Sequence, residues 1–408
     1  MSLPLELQTL KEEAEAVTCW SWATFKGWKL GPGTDKAGPC PNCGGTDRFA
    51  IHTTKNTFNC RQCGLAGGGV IDLVMKTENV KFVKACELIT GRTVADPISA
   101  EEQARIHQEA ERRERERAAE EEKRRLRAIN EGLSIWERTT EPQPEGAGGV
   151  ADYLALRGIG VKLDRVLIRE IAAHPYVVEV EGENGRKSYP TIHTGPCMVA
   201  AVVLADGSFG AVHQTWIDLS QPNGKVQLFH PTKTDKDGAP MALPAKKVRG
   251  SKKGGAIKLF QPKGATRIVM GEGIETTLTM LRHNFEPGTA YWAGVDLGNM
   301  AGRALLGMDG KRHEDQPNLD DRDCFVPPEW CTELVYLCDS DEPETRTVEK
   351  VTRGLRRALA LREAARAENP ELPPLEVRFV EPIGDGKDLN DLVRVSLSPP
   401  GSGPGQPR

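Results

Sequence analysis

Two Cys-x-x-Cys-Gly units, Cys40-Pro-Asn-Cys43-Gly44 and Cys60-Arg-Gln-Cys63-Gly64, stand sixteen residues apart near the start of the chain. No other stretch restricts the possible local folds as tightly. The glycine after each pair supplies the backbone freedom to turn closely around a metal. Between the pairs, Arg48-Phe-Ala-Ile-His-Thr53 and Thr57-Phe-Asn-Cys60 alternate like strands on either side of Lys55-Asn56, the pattern of a hairpin. Four thiolates at this spacing complete a tetrahedral structural zinc site with no open position, so His52 reads as a strand residue rather than a ligand. The chain has ten cysteines, but its start lacks the layout of a signal peptide. Paired Cys-x-x-Cys units in such a cytosolic chain point to metal and not to disulfides.

The surface of this module carries a second signal. From Lys26 to Cys63 the basic residues Lys26, Lys29, Lys36, Arg48, Lys55 and Arg61 face only Asp35 and Asp47 as acids, with Phe49 and Phe58 interleaved. Basic and aromatic side chains on a ribbon suit single-stranded nucleic acid. A solvated face is the plainer alternative. The upstream Trp20, Trp22, Phe25 and Trp28 read first as a helix packed on the ribbon, with base stacking as the sharper alternative. The formal charge of the 408-residue chain is −4, so any surface for a polyanion has to be local. No stretch approaches the ~20 apolar residues of a membrane span.

Composition changes abruptly after the ribbon. From Glu101 to Arg127 nearly every residue is Glu, Arg, Lys, Gln or Ala, with both signs interleaved at helical spacing and no heptad of apolar residues. That pattern predicts a long exposed helix held by i,i+4 pairs, closed by the Pro/Gly stretch from Glu141 to Gly149. Residues 150–262 mix a short helix at Ala151–Arg157 with strands at Cys197–Leu204 and Ala211–Leu219. Lys246, Lys247, Arg249, Lys252, Lys253 and Lys258 then follow without an acid among Gly250, Gly254 and Gly255. Such a segment either grips phosphates or is a solvated loop. The G-x-x-x-x-G-K-[ST] pattern is absent, so no ATP-driven motor is encoded.

The last third returns to a βα rhythm. Apolar runs at Arg267–Met270, Leu334–Leu337 and Val377–Val380 alternate with helical stretches at Thr276–His283 and Thr347–Ala367, which predicts a mainly parallel sheet. Acidic residues follow each run: Glu272 in Gly271-Glu272-Gly273, then Asp339 and Asp341, then Asp388 with Asn390 and Asp391. Parallel strands share a direction, so these carboxylates are expected at one edge, where open α/β sheets bind ligands and hard cations are held by oxygen donors. Asp320, Asp321 and Asp323 are expected in a solvated insertion and not at a second metal site.

In their order and strand context these motifs resemble the Toprim fold shared by DnaG-type primases, topoisomerases, RecR proteins and some nucleases. Gly386-Lys-Asp-Leu-Asn-Asp391 looks like phage and mobile-element primases in particular. Cys40 to Cys63 resembles the primase zinc ribbon, and residues 150–262 look like the domain that precedes Toprim. The resemblance covers most of the chain, apart from the charged helix and the tail. It implies a multidomain α/β protein: a zinc-ribbon DNA-binding domain with flanking helices at 1–95, a charged helical linker at 96–148 and a primase N-terminal α+β subdomain at 149–262. A Toprim catalytic domain at 263–395 and a disordered tail at 396–408 complete it.

The activity so implied is a DNA primase, making short RNA from ribonucleoside triphosphates on a single-stranded DNA template in the bacterial cytoplasm. A separate replicative helicase is the expected partner, and no membrane is involved. By the same resemblance Glu272 is the acid/base or metal-polarising residue, while Asp339, Asp341 and Asp388, with Glu272, hold catalytic Mg²⁺ or Mn²⁺. Lys246, Lys247, Arg249, Lys252 and Lys253 are candidates for triphosphate or template contact, supported by charge. Arg48, Lys55 and Arg61 are candidates for DNA contact on the ribbon. Glu275 stands where primases often carry Asp, which leaves its role open, and Asn390 and Asp391 are read as orienting the last turn. The other readings are a non-catalytic single-stranded-DNA-binding initiation factor and a metal-dependent nuclease.

Overall fold

A computed structural model describes residues 5–93, 100–162, 167–182, 185–307, 312–338 and 344–380. The chain divides into two compact units, Met1–Glu122 and Lys123–Arg408.

In the first unit, α1 (Leu5–Glu15) and α2 (Cys19–Phe25) precede β1 (Asp35–Cys40), β2 (Gly44–His52), β3 (Thr57–Cys60) and β4 (Ala66–Gly68). Helices α3 (Val70–Thr77) and α4 (Phe82–Thr90) follow, and α5 (Ala100–Trp136) begins in this unit and runs past Glu122 into the second. The four strands form an antiparallel meander in sequence order. Successive strand residues point to opposite faces, so Phe49 and Ile51 of β2 and Phe58 of β3 are buried against Leu73 and Val74 of α3 and Ala85 and Cys86 of α4. Asn56 takes the left-handed turn between β2 and β3 at φ 52°, and its Oδ1 accepts from the Cys19 backbone at 2.8 Å. The hairpin tip is thereby tied to α2, whose start is capped by Thr18 accepting from Ser21 N.

This packing corrects one expectation. Phe49 and Phe58 fill the core and offer no ring to a base; the alternation that made them look interleaved with basic residues is the alternation of core and solvent faces. Trp22 is also buried, while Trp20 keeps its ring under the Lys36 ammonium at 4.4 Å. Along α5 the charges pair at i,i+4, for example Arg113 with Glu109 at 2.7 Å and Arg115 with Glu111 at 3.3 Å. Exposed pairs of this kind contribute about 0.3–0.5 kcal/mol each and favour the helix, while Ile135 and Trp136 at its end pack against a core cluster.

The second unit contains two sheets. After α6 (Val150–Leu156) come β5 (Arg169–Val177), β6 (Val180–Glu181), β7 (Lys187–Ser188), β8 (Thr191–Val203), β9 (Phe209–Trp216), β10 (Leu228–Thr234), β11 (Pro240–Leu243) and β12 (Lys246–Gly250). Strands β12, β9, β8 and β5 form an antiparallel sheet in that order, flanked by the small β6–β7 and β10–β11 hairpins. The basic segment expected as a glycine-rich loop therefore begins as a strand, with Lys246 opposite Thr215 and Gly250 opposite Ala211.

The second sheet follows: β13 (Ile257–Phe260), β14 (Arg267–Gly271), α7 (Ile274–His283), β15 (Thr289–Ala293), α8 (Leu297–Ala301), β16 (Ala304–Leu306), β17 (Arg312–Pro317), β18 (Glu333–Leu337), α9 (Glu344–Glu368) and β19 (Glu376–Val380). Its order is β13-β15-β14-β18-β19, parallel except for β13 at one edge. Both faces are covered, which is why the strands read as continuous apolar runs rather than alternating ones. Ile268 and Met270 of β14, with Leu334 and Tyr336 of β18, pack toward Met300 of α8 and Val351 and Leu355 of α9. Val269, Val335 and Leu337 pack on the other side with Met280 and Leu281 of α7. The Val203–Ala256 bridge and the shared core of Met198, Ala200, Ile257, Leu259, Ile274 and Leu278 join the two sheets.

The acidic insertion also departs from expectation at one position. Asp320 and Asp323 are exposed, but Asp321 is buried. It accepts from Arg303 N at 2.8 Å, from the Arg303 guanidinium at 3.2 Å and from Asp323 N at 3.2 Å. The buried Arg357 of α9 donates to the backbone carbonyls of Asp321 and Phe325, clamping this loop on the sheet. Burial alone would raise the Asp321 carboxyl; the Arg303 hydrogen bonds outweigh it and hold the group down at about 2. A carboxyl lowered on folding contributes stability above its unfolded value near 4 and loses it as pH falls through about 2. Asp321→Asn is expected to destabilise the protein at pH 7 by roughly 1–2 kcal/mol, discounted because the Arg303 guanidinium is largely in solvent. Denaturant titrations of both proteins should show that difference shrinking steadily below pH 4.

Candidate functional site

The metal centre is built by the two ends of the ribbon. Cys40 closes β1, Cys43 precedes β2, Cys60 closes β3 and Cys63 lies in the following turn. Their four Sγ atoms all lie within 4.8 Å of one another, with Cys40–Cys63 at 3.7 Å and Cys43–Cys60 at 3.6 Å. A tetrahedral ion with Zn–S bonds of about 2.3 Å requires sulfurs about 3.8 Å apart, so the donor set fits zinc. The backbone N–H of Cys63, and after it that of Gln62, points at the Cys60 sulfur and brings its thiol down to about 6 against the opposing effect of burial. Glycine is needed at the knuckle turns: φ is 67° at Gly44 and 72° at Gly64. Burial raises the Cys40 and Cys43 thiols of the same cluster. Cys19 and Cys86 lie outside it. Burial pushes Cys19 up to about 12 and Cys86 to about 11, and these are core residues. His52 Nδ1 accepts from the Lys55 backbone at 3.2 Å and takes no part in the sulfur cluster.

Arg48, Lys55 and Arg61 are all exposed, but the structure does not gather them. Arg48 and Arg61 are neighbours at the knuckle end, joined by the Arg61 N to Arg48 O bond of 2.9 Å. Lys55 sits in the β2–β3 turn at the other end of the hairpin.

In the second unit Glu272 lies between β14 and α7, at the carboxyl end of the parallel strands. The turn is fixed from three sides. Gly271 N donates to Thr277 Oγ1 at 3.2 Å, Thr277 Oγ1 donates to Gly273 O at 2.9 Å, and Gly294 N of the neighbouring strand connection donates to Gly271 O at 2.8 Å. A Cβ on Gly271 would meet Thr277 Oγ1 at 2.8 Å, so packing forbids a side chain there. At Gly273 the nearest atoms to such a Cβ are Glu275 Oε2 at 3.6 Å and Lys246 Nζ at 3.8 Å, which places both charged groups beside the turn. Asp339 and Asp341 come two and four residues after β18 in the sequence, and Asp388 eight after β19; all three lie outside the described residues, with Asn390 and Asp391.

The basic candidates separate into groups. Lys246 meets Glu275 at 3.3 Å, and Lys252 pairs with Asp296, the cap of α8; the charge of Glu272 acts on both lysines. Lys247 and Arg249 alternate to the opposite face of β12. Lys247 lies 3.6 Å from the centre of the Tyr176 ring, and Arg249 pairs with Glu131 of α5. Lys253 pairs with Asp323 at 2.7 Å. Of the five, then, Lys246 is the one placed beside the Glu272 turn, while Lys252, paired with Asp296, feels the Glu272 charge.

The residue that sequence reasoning overlooked is Lys225. It occupies the segment between β9 and β10 with a side chain only 17% exposed, and its Nζ lies 2.9 Å from Glu275 Oε1. Tyr153 of α6 donates to that same oxygen at 2.6 Å. Burial alone would raise the Glu275 carboxyl, but the charges of Lys246 and Lys225 and the Tyr153 hydrogen bond keep it well below the ordinary range, hence ionised. His213, buried behind these groups on β9, is lowered by burial to about 4 and is neutral. No local pattern marks Lys225, because its partners come from α6, α7 and β12.

Residues 35–70 match the family described as the zinc-binding domain of primase-helicase, and residues 126–259 match a domain of unknown function, DUF7146. A DNA primase domain from Pseudomonas aeruginosa is similar over 60% of this chain and 67% of its own length at 12% identity and a TM-score of 0.32. The primase fragment of the bacteriophage T7 primase-helicase is similar over 88% of this chain and 97% of its own at 13% identity and a TM-score of 0.25. Overlaps this loose assign neither fold nor function. No curated protein matches the chain. Among the described residues no helix is long and apolar enough to cross a membrane.

Metal analysis of the purified chain should find about one zinc per molecule, lost in Cys60→Ser or on strong chelation. Binding of a structural zinc is worth roughly 10–16 kcal/mol and is coupled to folding. Loss should therefore abolish the cooperative melting of the ribbon unit, while amide exchange in the second unit stays protected.

Proposed function

We propose that this chain is a primase-type nucleotidyltransferase, joining ribonucleotides into short RNA on a single-stranded DNA template. The observation that carries the reading is a combination within one chain. A Cys₄ ribbon matching the zinc-binding domain of primase-helicases precedes a parallel sheet whose carboxyl edge holds Glu272 beside Lys246, with Lys252 feeling its charge. A ribbon alone fits a binding protein, and an acidic edge alone fits a nuclease. Carboxylates flanked by lysines suit a nucleoside triphosphate, whose charge the ammonium groups offset while the carboxylates hold a hard cation.

In this reading the second sheet is a Toprim domain, and Glu272, Asp339, Asp341 and Asp388 hold Mg²⁺ or Mn²⁺. Their oxygen donors suit such ions: β14 and β18 are hydrogen-bonded neighbours, and β19 pairs with β18. The ion supplies Lewis-acid stabilisation of charge on the phosphates. The chain's own residues bind and orient. Lys246 and Lys252 draw the polyphosphate to the Glu272 turn, and the primer-end 3′-hydroxyl attacks the α-phosphate as pyrophosphate leaves. The Thr277 and Gly294 hydrogen bonds keep the turn rigid, so Glu272 is presented at a fixed position. The ribbon contacts template through Arg48, Lys55 and Arg61, and a replicative helicase is the proposed partner.

The test supplies single-stranded DNA of varied sequence, labelled ribonucleotides and Mg²⁺ or Mn²⁺. Short RNAs are expected from the wild type. The double variant Asp339→Ala with Asp341→Ala should reduce synthesis by at least roughly 10³-fold, on the scale of removing electrostatic stabilisation of the transition state, while zinc content and DNA binding are kept. Template binding without any RNA supports an initiation factor instead. Shortening of the template supports a nuclease.

A further inference from the structure

The cluster around Glu275 has an unusual charge balance. Its carboxylate is only 4% exposed and has two lysine partners, Lys225 on Oε1 and Lys246 on Oε2. His213 behind them is neutral, and the buried Arg157 at the end of α6 adds further positive charge that Lys225 feels. Two ammonium groups thus share the Glu275 carboxylate, and one of them, Lys246, also feels the charge of Glu272. Each partner comes from a different part of the second unit: Tyr153 from α6, Lys225 from the β9–β10 connection, Lys246 from β12 and Glu275 from the first turn of α7. The cluster reaches the Gly273 backbone, next to Glu272, where Lys246 Nζ lies 3.8 Å from the position of a Cβ. Glu275 is buried, and its two oxygens are taken by Tyr153, Lys225 and Lys246.

We propose that Glu275 is a positioning residue: its buried carboxylate holds the Lys225 and Lys246 ammonium groups in place, with Lys246 beside the Glu272 turn, so that they meet the polyphosphate of the incoming nucleotide. The inference rests on the reading of the chain as a nucleotidyltransferase and gives the open position in the motif a role distinct from holding a metal. A carboxylate turned toward a divalent ion would give up its ion pairs with Lys225, which is only 17% exposed, and with Lys246, a costly exchange.

The experiment uses the full-length chain and two readouts, equilibrium binding of ATP with Mg²⁺ in the absence of template, and KM against kcat in primer synthesis. Glu275→Gln should weaken ATP binding and raise KM by roughly tenfold or more, the scale of one misplaced charge-assisted contact, with kcat changed much less. Glu275→Asp should recover part of this. Because Glu275→Gln also takes the counter-ion from the largely buried Lys225, it is paired with Lys225→Met/Glu275→Gln, which removes that cation along with the anion. The double variant should regain thermal stability without regaining ATP affinity.

ATP binding by Glu275→Gln equal to the wild type overturns the proposal, whether or not the wild type makes RNA. So does recovery of both stability and affinity in the double variant, since that marks Glu275 as structural. If the wild type binds ATP in a Glu275-dependent way yet makes no RNA, the positioning role stands and the primase reading falls. A wild type that binds no nucleotide overturns both.

Discussion

An ionised carboxylate almost sealed from water survives only if cations are brought to it, and in the second unit Glu275 sets that condition. Its two oxygens are shared by Tyr153, Lys225 and Lys246, which reach it from three separate segments of the α+β region preceding β14. Breaking one side of such a buried pair typically costs about 3–5 kcal/mol, a large fraction of a domain's net stability. The antiparallel sheet, the parallel sheet and α6 are thereby tied at the point where Glu272 emerges. The apolar core of Met198, Ile257, Leu259, Ile274 and Leu278 joins the same elements without regard to direction. Hydrophobic burial brings the sheets together; the charge cluster fixes which atoms face the turn.

The first unit solves a different problem. Its core of Phe49, Ile51, Phe58, Leu73 and Val74 is small, and two of its strands run out into exposed glycine turns. Four thiol sulfurs at metal-binding spacing hold those turns, where apolar packing is too thin to do so. Burial raises Cys19 and Cys86 in the core and Cys40 and Cys43 in the cluster alike, and Cys60 is lowered by backbone N–H groups; what marks the ligands is that their four sulfurs converge. Placement, and not cysteine count, separates ligand from core residue.

Much of this was legible locally. The Cys-x-x-Cys-Gly pairs, the hairpin turn at Lys55-Asn56 and the apolar runs of β14, β18 and β19 each follow from residues within a few positions of one another. The β15 strand, Thr-Ala-Tyr-Trp-Ala, carried no such mark: it is buried on both faces, so it lacks the alternation that identifies a half-buried strand. Phe49 and Phe58 misled because residues interleaved in sequence project to opposite faces of a strand. The run of basic residues from Lys246 to Lys253 misled in the same way. Read as one cationic patch, it is divided by the pleat of β12 and by acids at positions 131, 275, 296 and 323.

The sequence by itself determined the metal ligands, the alternation of strands and helices in the last third, and the place of Glu272 in a strand-to-helix turn, because each depends on spacing along the chain. Tertiary structure alone decided which lysines meet that turn, why Asp321 is buried, and that Glu275 is buried. The distances in sequence from Glu275 to Lys225, Lys246 and Tyr153 carry no periodic signature. What selects these partners is the free energy of a buried charge, which has no value until the sheets have closed around it.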